Sequence, residues 1–304
     1  MEHVRKIVRN SVKYSQNFLR DTRLVQRLVE KSSIAPSDLV IDIGSGKGII
    51  ADILSTRCKK VIAVEADPEL ADRLKQKFKG ILNIQIQTGD FLALNLPSEP
   101  YKVFSNIPFN RTADIIRKLV NTLQSPSDTY LIVQKESALK FIGTPLSKET
   151  LFSVMIKPWF ELSIEYNFQR SDFEPRPNID IVLLRIRKRE TPIIQENQTT
   201  HYKDFVSYAF NRSNPNLKKG LKDVFTSNQF SRIIQSLHVS DSVTPTQLSF
   251  EQWLDLFQSF QTFVDSQKKR VVIGSASKLS KEQSQLDKVH RTRVSKNWKK
   301  EAIF

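Results

Sequence analysis

The chain has 304 residues, a formal net charge of +15 at pH 7 and a single cysteine. That length allows one large or two modest domains with a buried core. No apolar stretch reaches the roughly 18 residues a membrane span requires, and the charged opening, Met1 to Lys13, lacks the apolar segment of a secretory signal. Cys58 has no partner for an internal disulfide, which fits a reducing cytoplasm, and with only four histidines it argues against a zinc cluster; it reads as a small helix residue rather than a nucleophile.

Short apolar runs alternate with amphipathic stretches through the first 190 residues. Leu39-Val40-Ile41-Asp42-Ile43 predicts a buried strand, and Gly44-Ser45-Gly46-Lys47-Gly48 follows it with three of the chain's eight glycines. Glycines there permit a tight turn and let a ligand approach the backbone closely, and a helix is expected from Ile49. A Walker phosphate loop would need Ser or Thr where Gly48 stands, and a nicotinamide fingerprint would place its third glycine one residue later. The tighter G-x-G-x-G spacing suits S-adenosylmethionine, whose amino-acid tail carries no phosphates to cradle. The second run, Val61 to Val64, closes on Glu65, an acid placed to accept hydrogen bonds from both ribose hydroxyls. Asp67 and Pro68 then supply the cap and first position of a helix reaching Lys79. The third run, Ile84-Gln85-Ile86, closes on Gly89-Asp90-Phe91, where the carboxylate can accept an adenine amine.

The fourth run, Val103-Phe104-Ser105, leads into Asn106-Ile107-Pro108-Phe109. Alone, that tetrapeptide is an ordinary Asn-x-Pro turn. An amide, a stiff proline and a flat ring also suit a second task, gripping the exocyclic amine of a planar base while a methyl group arrives. A helix over Ala113 to Leu123 and a strand at Tyr130 to Val133 continue the alternation, which predicts an α/β fold with a doubly wound, Rossmann-like parallel sheet. In such a sheet the loops carrying Gly44, Glu65, Asp90 and Asn106 converge on the carboxyl edge, where ligands bind. Convergence is what turns four individually weak features into one methyl-transfer site. Two later runs, Phe160 to Phe168 and Ile179 to Ile186, have no helix between them and are expected to pair antiparallel at the sheet edge.

Composition changes after Arg189. Thr191 to Thr200 reads as a polar linker, and a small all-helical domain is expected from about 200 to 266. Phe250, Trp253, Leu254, Phe257, Phe260 and Val264 recur at helical spacing and read as core rather than as base-stacking residues. From Gln267 to Phe304 eleven Lys or Arg face three acids, giving +8 of the chain's +15. A tail of that composition is expected to be disordered when free, and a basic body with a more basic tail points to a polyanion partner, nucleic acid first.

Several of these segments resemble the ribosomal RNA adenine N6-methyltransferases, most closely the Erm branch of macrolide-lincosamide-streptogramin resistance enzymes. The resemblance is carried by Ser15-Gln16-Asn17-Phe18-Leu19, by Asp42 through Gly48, by Glu65, Gly89-Asp90 and Asn106-Ile107-Pro108-Phe109, and by Phe173-Glu174-Pro175-Arg176-Pro177. Ser249-Phe250-Glu251-Gln252 is similar to the family's C-terminal domain. It implies an S-adenosylmethionine-dependent methyltransferase domain over 1–190, a helical RNA-binding domain over 200–266 and a basic tail over 267–304. It further implies cofactor contacts at Gln16, Asn17, Leu19, Gly44, Gly46, Glu65, Ala66, Asp90, Phe91 and Asn106. Catalysis falls to Asn106, Ile107, Pro108 and Phe109, with Phe109 and Phe173 on the two faces of the target base. The implied partner is 23S rRNA, in domain V, naked or in a ribosome precursor, met by a cytoplasmic monomer without metal or membrane.

Within that picture the Asn106 side-chain oxygen and the Ile107 or Pro108 carbonyl accept the two N–H bonds of the target amine. Housekeeping relatives that act on small-subunit RNA typically carry Leu where Ile107 stands. Many members carry Tyr where this chain has Phe109, which keeps the stacking face and loses the hydroxyl. Two alternatives stay open at this point: a sister enzyme acting on 16S-type RNA, and a non-catalytic nucleic-acid-binding relative with an idle pocket. The intact glycine loop and Asn106 speak against the second.

Overall fold

The computed structural model describes residues 18–122, 124–210 and 216–285. Seven strands form one sheet: β1 Leu39–Ile43, β2 Lys60–Glu65, β3 Ile84–Thr88, β4 Lys102–Asn106, β5 Asp128–Gln134, β6 Phe160–Asn167 and β7 Ile181–Lys188. Their spatial order is β3-β2-β1-β4-β5-β7-β6. The first five are parallel, while β7 runs antiparallel to both β5 and β6. The expected antiparallel pair is therefore present, with β7 inserted between β5 and β6.

Helices α1 Thr22–Lys31, α2 Ile49–Ser55, α3 Pro68–Lys77, α4 Thr112–Val120, α5 Lys135–Ile142 and α6 Leu151–Ile156 accompany the sheet. Strand alternation divides its side chains between two apolar layers. Val40, Val61, Phe104 and Ile132 pack with α1, α2 and α3, whereas Ile41, Val64, Val103 and Leu131 pack with α4 and α5. Burial on both faces is why β1 reads as an apolar run broken only by Asp42. As the sequence predicts, Asp67 caps α3 and Pro68 occupies its first turn. Cys58 is buried in the turn after α2 rather than within a helix, and burial pushes its thiol up to about 11.

A third apolar core lies among α7 Thr199–Ala209, α8 Leu217–Gly220, α9 Ser227–Ser236, α10 Phe250–Phe263, α11 Ser266–Lys269 and α12 Ser275–Gln285. The aromatic stripe of α10 is core: Trp253, Phe257 and Phe260 are buried, and Phe260 stacks on Phe205 with ring centroids 4.6 Å apart. Val154 of α6 belongs to the same core, and Tyr202 donates to its carbonyl at 2.9 Å. Beside this seam Glu149 and Lys157 form a buried ion pair, with the Lys157 ammonium 5.5 Å from the Phe250 ring centroid.

Two expectations are corrected. The polar stretch 191–200 is not a free linker, because Ile194 is buried in the helical core and the Ile193 N–H donates to the Pro158 carbonyl at 2.9 Å. The segment after 266 is helical as far as Gln285. Val272 is buried in the helical core, and the Asp204 carboxylate on α7 accepts the Gly274 and Ala276 N–H groups, both at 2.9 Å, at the start of α12. That anchor lies about seventy residues upstream, so no local periodicity announces it. Residues 286–304 lie outside the described residues.

Candidate active site

Order reverses between β1 and β4, so the strands on either side of them lead away in opposite directions. The β1–β4 register runs through Ile41–Val103, and beyond it the Ser105 hydroxyl accepts the Ile43 N–H at 2.6 Å, a side chain standing in for a ladder bond as the strands part. A cleft of about 530 Å³ opens there, within the range of small-ligand pockets. Leu19, Gly44, Gly46, Glu65, Ala66, Asp90, Phe91 and Asn106 through Phe109 all line it. Gln16 and Asn17 lie outside the described residues.

The glycine loop is held from below. Gly44 and Ser45 donate to the Val64 carbonyl at 2.8 and 3.0 Å. Gly44 has φ +72°, and a Cβ there would stand 3.4 Å from the Pro108 ring. Glycine at this position thus serves both the left-handed turn and the close approach of the Pro108 loop. Glu65 accepts the Gly46 N–H at 2.8 Å on one carboxylate oxygen and the Asp67 N–H at 2.9 Å on the other. Each oxygen keeps a further lone pair, so Glu65 ties the loop to α3 and still presents acceptors to the cleft. Asp90 accepts the Leu92 N–H at 2.9 Å and pairs with Arg111 at 2.9 Å.

Asn106 ends β4, Ile107 is buried beneath it, and Pro108 opens the single 3-10 turn Phe109–Arg111. The Pro108 carbonyl already accepts the Arg111 N–H at 2.9 Å, and the Phe109 carbonyl accepts the Thr112 hydroxyl at 3.0 Å. The Pro108 carbonyl thus has one of its two acceptor positions already used. Phe109 is partly buried, with its ring against the α1–α2 core and an edge on the cleft.

Phe173 requires correction. Its ring is fully buried, 5.4 Å from that of Phe168 in an edge-to-face pair, and it does not line the cleft. The short strand Phe173–Glu174 pairs antiparallel with Phe18–Leu19, and this phase turns Phe173 into the core and Glu174 outward to Arg20. Phe173 supports Leu19 and cannot cover a base.

Sequence reasoning singled out neither Asp42 nor Arg111. Asp42 is wholly buried in β1, faces the cleft, and has no hydrogen-bond partner on either carboxylate oxygen. Burial pushes its carboxyl up to about 7, with the neighbouring Ser45 and Ser105 hydroxyls opposing the rise and the negative Glu65 adding to it. The Ser45 hydroxyl donates to the Asp42 carbonyl at 3.1 Å, whereas the Ser105 hydroxyl accepts the Ile43 N–H and keeps its own proton to donate. An acid inside an otherwise apolar strand is costly unless it has a task, and that was the available signal.

A family model for ribosomal RNA adenine dimethylases matches residues 7–262. An rRNA adenine N-6-methyltransferase of Limosilactobacillus reuteri is 31% identical over 256 residues, covering 84% of this chain and 98% of that protein. One from Bacillus licheniformis is 28% identical over 250 residues, covering 82% and 86%. Among solved structures the 23S rRNA methyltransferase ErmE superposes with a TM-score of 0.74 at 27% identity, over 81% of this chain and 100% of that one. A dimethyladenosine transferase from Plasmodium falciparum shares the fold with a TM-score of 0.64 at 19% identity, over 80% and 97%. Because the family match runs from before the glycine loop to the end of α10, through both the cleft and the helical core, the chain belongs to the ribosomal RNA adenine dimethylase family.

Proposed function

We propose that this protein transfers a methyl group from S-adenosylmethionine to the N6 amine of one adenine in 23S rRNA, in domain V, and so confers resistance to macrolide, lincosamide and streptogramin B antibiotics. One observation carries the reading: a single cleft gathers the glycine loop, Glu65, Asp90 and Asn106-Ile107-Pro108-Phe109. Family membership and the likeness to ErmE support it. Ile107, where small-subunit enzymes carry Leu, favours the large-subunit target.

The residues fit the cofactor. Backbone at Gly44 and Gly46 allows close approach, Glu65 retains acceptors for a ribose diol, and the partnerless Asp42 carboxylate complements a positively charged ligand. S-adenosylmethionine supplies an electrophilic methyl on a sulfonium. The chain supplies acceptors and orientation for the amine. An adenine amine is a poor nucleophile because its lone pair is delocalised into the ring. Asn106 and the Ile107 or Pro108 carbonyl accept its two N–H bonds, which favours a tetrahedral nitrogen and stabilises the charge that develops there. Pro108 stiffens the loop so that both acceptors are in place beforehand. Phe109 stacks on the extruded base, worth about 1–3 kcal/mol. Such an enzyme works as a cytoplasmic monomer on naked RNA or a ribosome precursor. Among the described residues no helix is long and apolar enough to cross a membrane.

Primer extension on ribosomal RNA from cells with and without the protein tests this directly. A new reverse-transcriptase stop at one adenine of 23S domain V is expected, since dimethylated adenine blocks the polymerase. A stop in 16S RNA instead would select the small-subunit alternative. Because a single N6 methyl does not stop the polymerase, no new stop in either leaves monomethylation, and no gain of N6-methyladenine by mass spectrometry of the digested RNA would then discard the reading.

A further inference from the structure

We infer that Arg111 is a positioning residue that couples the cofactor's adenine end to the base-gripping loop. This rests on the assignment of Asp90 to the cofactor. Arg111 closes the turn that begins with Phe109, and its Nη2 lies 2.9 Å from Asp90 Oδ2. Asp90 Oδ1 accepts the Leu92 N–H at 2.9 Å. The two bonds hold the carboxylate in one orientation, and each oxygen keeps a lone pair for a ligand amine. Both residues line the cleft.

A second cation reinforces the same link. Lys118 on α4 donates to the Phe91 and Leu92 carbonyls at 2.8 and 3.0 Å and to the Leu94 carbonyl as well. The segment after Asp90 is thus pinned by two side chains that both follow the Asn106–Phe109 motif in sequence. Lys118 is spent on backbone carbonyls, whereas Arg111 alone of the two grips the carboxylate. Its guanidinium is planar and permanently charged, so it fixes direction as well as charge. Displacing the Asp90 carboxylate therefore displaces the turn that carries Phe109. The site for the cofactor's adenine and the site for the target adenine share one ion pair.

Calorimetric titration with S-adenosylhomocysteine, on the full chain and on Arg111→Ala, Arg111→Lys, Asp90→Asn and the Arg111→Ala/Asp90→Asn double variant, tests the coupling. The pair is partly exposed, so Arg111→Ala should weaken binding by roughly two- to fivefold. It should raise KM for S-adenosylmethionine more than it lowers kcat, Arg111→Lys should recover part of the loss, and Arg111→Ala should cost little more once Asp90 is Asn. Unchanged binding by Arg111→Ala beside weakened binding by Asp90→Asn overturns the role of Arg111 and leaves the Asp90 assignment standing. Unchanged binding by Asp90→Asn, with the wild-type chain binding normally, overturns both. Intact ligand binding by Arg111→Ala with a salt slope of RNA affinity lower by about 0.7 would make Arg111 a phosphate contact instead.

Discussion

One buried carboxylate at the cleft, Asp42, is treated in the opposite way from those elsewhere, while Glu65 beside it is held by two backbone N–H groups. Glu149 accepts the Thr144 N–H at 3.1 Å, the Thr144 hydroxyl at 2.6 Å, the Ser153 hydroxyl at 2.5 Å and the Lys157 ammonium. Asp128 takes the Arg185 guanidinium at 2.6 Å and the Ser33 hydroxyl at 2.7 Å, and Asp204 takes two backbone N–H groups. Asp42, equally buried, has no partner on either oxygen and faces the cleft. A charge without a partner is expensive in the interior. Away from the cleft such groups are satisfied within the chain and serve the fold. At the cleft the missing partner can be a ligand, and a cationic one fits best.

Glu149→Ala gives the largest expected effect on the structural side. It leaves the Lys157 ammonium nearly buried without its counter-charge, a loss of about 3–5 kcal/mol by urea unfolding. A cost below about 1 kcal/mol would show that water reaches the pair and would blur the contrast between the two regions. On the cleft side Asn106→Ala should slow methyl transfer by roughly 100- to 1000-fold with the unfolding midpoint unchanged. Near-normal turnover in that variant would discard the role given to its side chain.

Asp42→Asn sharpens the comparison through its sign. The Asp42 carboxyl titrates near 7 in the folded chain against an ordinary 3.8. Between those values the folded protein holds a proton that the unfolded chain has released, so stability falls as pH rises from about 4 through about 7. Asn removes the penalty. Without cofactor, Asp42→Asn should match the wild type near pH 4 and exceed it at pH 8, by at most about 4 kcal/mol. Affinity for S-adenosylmethionine should move the other way, rising with pH through 7 in the wild type and losing that rise in the variant. A flat wild-type profile would remove Asp42 from the ligand.

The sheet and its carboxyl edge were legible because the central strands, buried on both faces, leave apolar runs and the edge strand Ile84–Thr88 alternates Ile with Gln, and Gly44, Glu65, Asp90 and Asn106 stand at their ends. What escaped depended on distant partners. Phe173 faces inward because of pairing with Phe18 and Leu19, at the other end of the domain sequence. The start of α12 depends on Asp204, 70 residues upstream of Gly274. Arg111 is one of 47 Lys and Arg, and only the approach of two loops distinguishes it from a solvated charge. Asp42 was visible as a letter, but its missing partners were not.

The smallest expected effect concerns the basic end of the chain. Six Lys or Arg lie between 286 and 304 against two acids. α12, anchored through Asp204, fixes where that stretch leaves the helical core. Truncation after Gln285 keeps this anchor and removes the six terminal Lys and Arg with the rest of 286–304. If they meet RNA phosphates, the dependence of log affinity on log salt should flatten by about 0.7 for each lost contact, with cofactor affinity unchanged. The same truncation should leave the pH dependence assigned to Asp42 intact. An unchanged slope would make the terminal cations a solubilising surface and confine RNA recognition to the folded body.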